Sequence, residues 1–380
     1  MAIQRKEHLY QIWVYNSDGS VAAVYDDLVS VMYTKFVNKP GLAVLTAPPD
    51  HDILNYQDLD RYFEIYWSYP DRSLAGTGWH NSWQLDYAGI FRDVQFTTDE
   101  NGNVYAQVYL PSLMSIIDRY VIAYPAGSSL LGVGQTVWGS KPLAEIVNDV
   151  VRWNCTEEAL VVNNRIRDIA QVRGFTDDGA IAGTTSVSYS VNPGRPVLEF
   201  IQELAPILGF DFDVFYDDTD NFFHCHQYED QLGTDKSATI FFDLALDNVS
   251  RANQIDDRLR EKTVAVVGGP GEGLSRTFVV RTGVNYASNN ESEVYVDARS
   301  NDASELNDIG DAAVGRYEAR VQAQNQVRDS LGWTYARDYQ LGDLVTISFA
   351  GIQTVKKIGK VEIVFDQTQR VSITIEFIEP

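Results

Sequence analysis

Residues Thr263–Val280 read TVAVVGGPGEGLSRTFVV, two apolar runs separated by a glycine-rich turn. The flanking runs, Val264–Val267 and Phe278–Val280, consist mainly of β-branched and aromatic residues, which favour strands. The turn carries four glycines within six residues: Gly268, Gly269, Gly271 and Gly273. Glycines hold backbone conformations with positive φ that other residues resist. The stretch therefore predicts a wide β-hairpin.

A phosphate-binding loop is the alternative interpretation of the same glycines. The spacing from Gly268 to Gly273 approaches that pattern, but Leu274 stands where the phosphate-binding lysine belongs. Glu272 would repel a phosphate, and the residues that follow favour a strand rather than a helix N-terminus. We therefore expect a hairpin without nucleotide affinity and no bound cofactor.

The composition limits the classes of function. The chain has 380 residues, a length typical of two or three domains, and a net charge of −23 from 53 acidic and 30 basic residues. This balance argues against a grip on nucleic acid or on an anionic membrane, both of which need basic surfaces. No apolar run approaches the ~18 residues that a membrane span requires.

The order of patterns along the chain predicts a mainly β protein with an α+β insertion. Alternating strands fill about the first 125 residues of a β domain over 1–138. Two helical stripes, Leu143–Val151 and Val197–Leu208, mark a small α+β domain over 139–234. Residues 235–380 return to strands, with one helix near 304–324. We interpret the two β regions as two domains that flank the insertion.

Three aspartates, Asp217, Asp218 and Asp220, crowd one predicted turn and precede the strand that carries His224 and His226. Alternate residues of a strand share a face, so the two histidines could bind a metal together. Two histidines alone leave a metal site short of ligands. The sequence thus favours ordinary hairpin side chains, with a metal as the alternative.

Asp211 and Asp213 alternate with apolar residues in the preceding strand. This alternation predicts that both aspartates lie on a solvent-facing side.

Aromatic residues cluster between positions 66 and 87. They are Tyr66, Trp67, Tyr69, Trp79, Trp83 and Tyr87. Such a group could stack on sugars, although aromatic strands are more often core or interface. We find no serine elbow and no HExxH motif, and we expect no enzyme.

Several segments, taken in order, resemble the siphophage tail-hub family, also called baseplate hub or tail-tip proteins. They are Val267–Gly273 with Arg276, then Tyr295–Arg299, then a helix near Leu306–Val321, and then Tyr339–Val345. The resemblance implies two tail-tube-like antiparallel β-barrels in the two β regions. It marks a set of residues as structural: Gly269, Gly271, Gly273, Arg276, Asp297, Arg299, Gly342 and Asp343.

The resemblance also implies an assembly. Such hubs form homotrimers in the virion, at the tail tip, after synthesis in the host cytoplasm. Their neighbours are the distal tail ring protein, the tail tube, the tape measure and the tip spike or fibre proteins. DNA passes through the ring without specific binding, and an acidic wall would repel its phosphates.

We therefore expect Asp217, Asp218 and Asp220 either to face the lumen or to meet a basic partner. The alternatives to a hub are a receptor- or sugar-binding tail component and a cell-envelope hydrolase. Some members of the family carry a lytic domain after the hub, and we expect none here because the last predicted strand ends close to Pro380.

Overall fold

The structure, a computed structural model, describes residues 9–71, 80–123, 136–156, 159, 175–181, 186–299, 303, 306–318, 320–327, 333–349, 352–366 and 371–379. The helices are α1 (Ser115–Asp118), α2 (Leu143–Cys155), α3 (Val197–Leu208) and α4 (Leu306–Arg316). The strands are β1 (Leu9–Tyr15), β2 (Val21–Tyr25), β3 (Ser30–Phe36), β4 (Lys39–Ala47), β5 (Tyr62–Asp71), β6 (His80–Ile90), β7 (Asp93–Thr98), β8 (Val104–Pro111), β9 (Thr136–Pro142), β10 (Phe175–Asp177), β11 (Ser186–Val191), β12 (Phe210–Asp217), β13 (Phe222–Glu229), β14 (Phe241–Asp243), β15 (Val249–Asp257), β16 (Val264–Gly268), β17 (Phe278–Thr282), β18 (Glu293–Asp297), β19 (Arg320–Val327), β20 (Leu344–Phe349), β21 (Ile352–Phe365) and β22 (Val371–Ile378). The mainly β class is confirmed.

A ten-stranded sheet joins the two β regions of the chain. Its strands run in the order β15-β19-β22-β21-β3-β4-β8-β7, with β20 and β14 attached beside β21. The long strand β21 pairs with β20 through its first half and with β3 through its second half. Its register shifts between Ile358 and Lys360, and such an irregularity bends a strand. This bend lets one strand belong to both β regions.

A second sheet packs on the first and forms a sandwich. Its four strands run in the order β2-β1-β5-β6. Trp67 of β5 is fully buried between the layers, and its ring centroid lies 5.1 Å from that of Phe365 and 5.8 Å from that of Tyr335. The main core thus draws side chains from both ends of the sequence.

A second core lies in the α+β part, and it also takes in Tyr62, Ile90 and residues of α1 from the preceding β region. Both predicted helical stripes are confirmed as α2 and α3, and α3 ends at Gly209 with φ of 65°, the left-handed conformation that glycine accepts. The helices pack beside the sheet β10-β13-β12. Cys155 and Cys225 are buried in this core without a disulfide between them, and burial raises the pKa of the Cys225 thiol.

A third, smaller unit contains the glycine hairpin. Strands β17, β16 and β18 form a three-stranded sheet in that order, with β17 antiparallel and β18 parallel to β16. Helix α4 covers one side of it, where Leu306 is buried with Val267 and Ala298. The predicted hairpin is confirmed.

Three expectations need correction. The β regions do not form two separate closed barrels in the described part of the chain, because β21 and β3 pair and continue one open sheet. The helix predicted near 304–324 spans only Leu306–Arg316, since Arg320–Val327 pairs as a strand with β15 and β22; residues 304 and 305 lie outside the described residues. Asp211 is buried rather than facing solvent. The division at 138 and 234 stays a prediction.

Asp211 is buried because three polar groups surround its carboxylate. Its Oδ1 accepts a hydrogen bond from Asn38 Nδ2 at 3.0 Å, and its Oδ2 accepts one from the Leu232 backbone at 2.7 Å. Lys357, itself buried, forms an ion pair with it. The carboxylate thereby fastens the α+β part to β21 and to the β3–β4 turn.

No described helix is long and apolar enough to cross a membrane.

Candidate functional site

The glycine hairpin depends on its glycines for backbone reasons. Gly271 has φ of 100°, and an added Cβ there would lie 2.5 Å from the Ser275 carbonyl oxygen. Gly273 also has a positive φ, of 54°. At Gly269 a Cβ would approach a methyl carbon of Leu306 to 2.4 Å. Two of the three predicted glycines thus shape the turn, and the third admits helix α4 close to the sheet.

Arg276 fastens this turn to strand β18. Its guanidinium donates hydrogen bonds to the carbonyls of Gly268 at 2.9 Å and Gly269 at 3.1 Å, and to Asp297 Oδ1 at 2.5 Å. Arg299 contacts the same carboxylate oxygen at 3.2 Å. These predicted residues therefore form one cluster. Because the arginine already binds two carbonyls and a carboxylate, the arrangement is a structural clamp.

The side of this small sheet opposite α4 is exposed and apolar. Arg276 lies over the rings of Phe278 and Tyr295, at 5.4 Å and 5.9 Å from their centroids. Phe278, Val280 and Tyr295 are all more than half exposed, and Leu274 projects fully from the turn. We call these four residues the outer sheet face. A surface of this kind is typical of a protein contact.

Gly342 and Asp343 form a separate cluster in the ten-stranded sheet. Gly342 has φ of 87°, and a Cβ there would lie 2.7 Å from the Gly233 nitrogen. The Asp343 carboxylate is fully buried and accepts hydrogen bonds from the backbones of Thr234 and Gln340, each at 2.8 Å. Lys236 Nζ lies 2.9 Å from it. Gly342 and Asp343 thus hold the segment that follows β13 against the start of β20.

The acidic turn lies apart from both clusters, between β12 and β13. Asp218 and Asp220 are exposed, and Asp217 is partly buried. His224 and His226 do share a face of β13, and each ring places its Nδ1 against the carboxylate of Asp178. Asp178 lies 46 residues before His224, and no local sequence pattern marks it as a partner of the histidines.

The charges around His224 change its proton affinity. Burial alone would lower the pKa of His224, but hydrogen bonds to Asp178 and Asp220 outweigh it and raise that pKa. Hydrogen bonds from Thr219 lower the pKa of Asp217. The turn therefore presents charged carboxylates to an imidazole that holds a positive charge more readily than usual.

The proposed sugar platform is not present among the described aromatic side chains. Trp67 and Tyr87 are buried in the core, whereas Trp83 is exposed. Tyr66 packs on Trp13, with ring centroids 5.0 Å apart. Trp79 and the side chain of Tyr69 lie outside what the structure describes. Trp67 and Tyr87 belong to the core and therefore cannot join Trp83 in an exposed platform.

Strand β7 is an edge strand of the ten-stranded sheet, and no pattern in the sequence indicated a function for it. Among the described residues its strand partner is β8. Phe96 faces the same side as Ala106, its cross-strand partner, which is fully buried. Yet Phe96 is 59% exposed, and Val104 on the same side is 43% exposed. On the side of the sheet that faces the core, apolar side chains near the β7 edge are therefore left exposed to solvent.

The fold is that of phage tail proteins. The structure is similar to the prophage MuSo2 43 kDa tail protein from Shewanella oneidensis, with a TM-score of 0.58 and 12% identity over 98% of each chain. It is also similar to the prophage tail protein gp18 from Listeria monocytogenes EGD-e, with a TM-score of 0.54 and 11% identity over 97% of this chain and 94% of that one. A chain of the Francisella PdpA–VgrG complex gives a TM-score of 0.53 at 10% identity, over 99% of this chain and 53% of the other.

Sequence comparison then gives the family. The family described as Siphovirus ReqiPepy6 Gp37-like protein matches residues 11–377, and the chain belongs to it. Fold and family together define a siphovirus-type phage tail protein, which confirms the resemblance found in the sequence. Comparison with curated protein sequences found no match.

Proposed function

We propose that this tail protein is a tail-tip hub. Three copies form a ring that joins the distal tail tube to the tip or fibre apparatus and surrounds the DNA exit channel. The observation that carries this proposal is the ten-stranded sheet, which, within the described part of the chain, is open and ends in β7 at one edge and in β15 at the other. An edge strand presents backbone groups that can pair with a neighbouring copy.

The β7 edge needs a cover. An edge strand presents unpaired backbone groups, and natural proteins charge, twist or cover such edges. Here the edge carries the exposed Phe96, with Val104 beside it on the neighbouring strand. A second copy of the chain would cover both side chains and pair with the backbone groups of β7 that have no strand partner among the described residues. This favours an intersubunit contact at β7.

The contact would join different surfaces of neighbouring copies. If the β7 edge of one copy contacts a different surface on the neighbouring copy, the interface is heterologous. Repeating such an interface produces a closed ring when the rotation between neighbouring copies divides a full turn evenly. Three copies fit the tail-hub resemblance, in which two β regions per chain continue a sixfold tube as a threefold ring. One similar structure, a chain of the PdpA–VgrG complex, belongs to a larger assembly.

The outer sheet face would then meet a different neighbour. It is apolar and belongs to the small three-stranded sheet, which shares no strand with the ten-stranded one. We propose that it contacts the distal tail ring or a tip protein. The tape measure and the DNA would pass through the ring, past acidic residues that repel phosphate.

The test is the oligomeric state of the purified full chain, measured by light scattering and by electron microscopy with and without the distal tail ring protein. Trimeric rings are expected. Phe96→Lys should reduce the trimer because it places a charge at the covered edge. Val24→Lys is the control, since Val24 is comparably exposed on β2 in the other sheet.

Two results would contradict the proposal. A chain that stays monomeric even with the distal ring protein would exclude the hub role. Unchanged trimers of Phe96→Lys would instead move the contact away from β7 and leave the hub role standing.

A further inference from the structure

Five side chains meet at the end of the β12–β13 hairpin. They are Asp178, Asp217, Asp220, His224 and His226, which we call the His–Asp cluster. Asp178 follows β10, so its contacts with the two histidines join a loop to the hairpin across more than forty residues of sequence. The hub proposal gives these groups no common role.

The imidazole of His224 is held in one orientation. Its Nδ1 contacts Asp178 Oδ1, and the ring of Phe215 stacks on it with a centroid distance of 5.5 Å and an interplanar angle of 18°. Only 12% of the side chain is exposed. Because Nδ1 faces a carboxylate, which only accepts hydrogen bonds, Nδ1 carries the proton. In the neutral ring, Nε2 is then left with its lone pair.

That lone pair faces further acceptors. His224 Nε2 lies 3.0 Å and 3.2 Å from the two carboxylate oxygens of Asp220. One ligand atom each of Asp217, Asp220 and His224 lie within 4.8 Å of one another. A lone pair set against two carboxylates repels them unless a positive charge lies between the groups. Either a second proton on the imidazole or a metal cation can supply that charge.

The separation of His224 and Asp220 suits a shared cation. Metal–nitrogen and metal–oxygen bonds to zinc are about 2.0–2.2 Å long, so neighbouring ligands of one ion lie roughly 3–3.5 Å apart. The His224–Asp220 distances fall in this range. The contact from Asp178 to the far ring nitrogen is the carboxylate–histidine arrangement that orients metal-binding imidazoles.

We propose that the His–Asp cluster binds one divalent transition-metal cation of the zinc class. His224 Nε2 and the carboxylates of Asp217 and Asp220 are the protein ligands, and Asp178 positions the imidazole. Asp220 is exposed, so water completes the coordination. One nitrogen and two carboxylates favour Zn²⁺ over Ca²⁺, which prefers a larger set of oxygen ligands.

The bound ion would stiffen the tip of the hairpin. It would hold the turn between Asp217 and His224 while Asp178 ties the same histidine to the loop after β10. Its positive charge would also offset part of the negative charge of Asp178, Asp217 and Asp220. Because the ion binds the folded chain, it should raise the unfolding temperature with increasing metal concentration.

The experiment uses the full chain, freed of any histidine tag and stripped with a chelator. Titration with ZnCl₂ is followed by calorimetry and by thermal unfolding, and one ion per chain is expected. His224→Ala and Asp220→Asn should each weaken zinc binding tenfold or more, and Asp178→Asn should weaken it about 10- to 100-fold if it positions the ring. CaCl₂ should bind more weakly than ZnCl₂.

Asp218→Asn is the matched control. It removes the same charge from the same turn, and Asp218 is not one of the three ligands. Its zinc affinity should stay within twofold of wild type. Three outcomes would overturn the proposal: no zinc binding at micromolar concentration, full affinity in a His224→Ala chain whose circular dichroism is native, or equal losses in Asp218→Asn and Asp220→Asn.

Discussion

The hydroxyl of Tyr335 donates a hydrogen bond to the Asp86 carboxylate at 2.9 Å, although the residues are 249 positions apart. Asp86 also accepts hydrogen bonds from Tyr33 and from Lys35 Nζ, each at 2.6 Å. Burial and the charge of Asp86 raise the pKa of both tyrosines, which therefore remain donors. One carboxylate thus links β3, β6 and the C-terminal part of the chain.

Removing the Tyr335 hydroxyl should destabilise the sandwich. Tyr335→Phe deletes the hydrogen bond to Asp86 and the longer one, 3.3 Å, that the hydroxyl accepts from Lys35 Nζ. It should lower the free energy of unfolding by about 1.5–3 kcal/mol in a urea titration. Tyr105→Phe is the control, because Tyr105 is a partly buried residue of β8. Its free energy of unfolding should stay within ~0.5 kcal/mol of that of wild type. Equal effects of the two substitutions would show that the Asp86 network contributes nothing specific.

Asp343 and Asp297 should differ strongly as structural ion pairs. Asp343→Ala leaves Lys236 and two backbone N–H groups without a buried partner, and we expect a loss of about 3–5 kcal/mol of unfolding free energy. Asp297 is 49% exposed, so Asp297→Ala should cost no more than ~1 kcal/mol. Comparable losses in chemical denaturation would refute this ranking.

The hairpin glycines should respond to alanine according to their backbone angles. Gly271→Ala must adopt φ near 100° and approach a carbonyl, which should cost about 1–3 kcal/mol. Gly315, in α4, has open space around it, so Gly315→Ala should be neutral or stabilising by up to ~1 kcal/mol. We expect no nucleotide binding by the wild-type protein or by either variant. Saturable ATP binding by the wild-type protein would contradict a purely structural role for the turn.

Asp213 should make stability depend on pH. Burial raises its pKa to about 6, partly opposed by a hydrogen bond from the Val214 backbone. The folded chain thus binds this proton more tightly than the unfolded chain, whose aspartates titrate near pH ~4. The stabilising contribution is present below about pH 4 and is lost as the pH rises through about 6.

Asp213→Asn keeps an oxygen for the Val214 N–H and removes the charge of this partly buried side chain. It should stabilise the protein by roughly 1–2 kcal/mol at neutral pH and change little near pH ~4. Thermal unfolding at both pH values measures the difference. A variant that is less stable than wild type at neutral pH would mean that attraction to Lys35 outweighs burial.

The acidic turn should affect genome passage if it faces the channel. Phages carrying Asp217→Asn, Asp218→Asn and Asp220→Asn together should then adsorb normally and eject DNA more slowly, because less charge repels the phosphates. A defect in tail assembly would indicate a basic partner instead. The single Asp218→Asn change removes a charge from the turn without removing a proposed metal ligand, so it separates the effect of charge from that of metal binding. Unchanged assembly, adsorption and ejection in the triple variant would exclude both the channel-facing role and the contact with a basic partner.

The sequence alone determined the local elements. The glycines between the strands around Thr263–Val280 fixed a hairpin, and the apolar stripes fixed α2 and α3, because each pattern reflects only the period of one element. The ordered resemblance also identified the tail-protein class. The same local reasoning extended α4 too far, since the helical pattern of residues 317–324 competes with pairing to β15 and β22.

Tertiary structure decided what depends on contacts between distant residues. Alternation placed Asp211 toward solvent, but Lys357, contributed by β21, gives its charge a buried partner. Asp178 meets His224 because β10 pairs with β13, and the terminal β regions share one sheet because β21 bends from β20 to β3. A single sequence carries the period of each strand, but the choice of its neighbours follows from the burial that the whole chain achieves together.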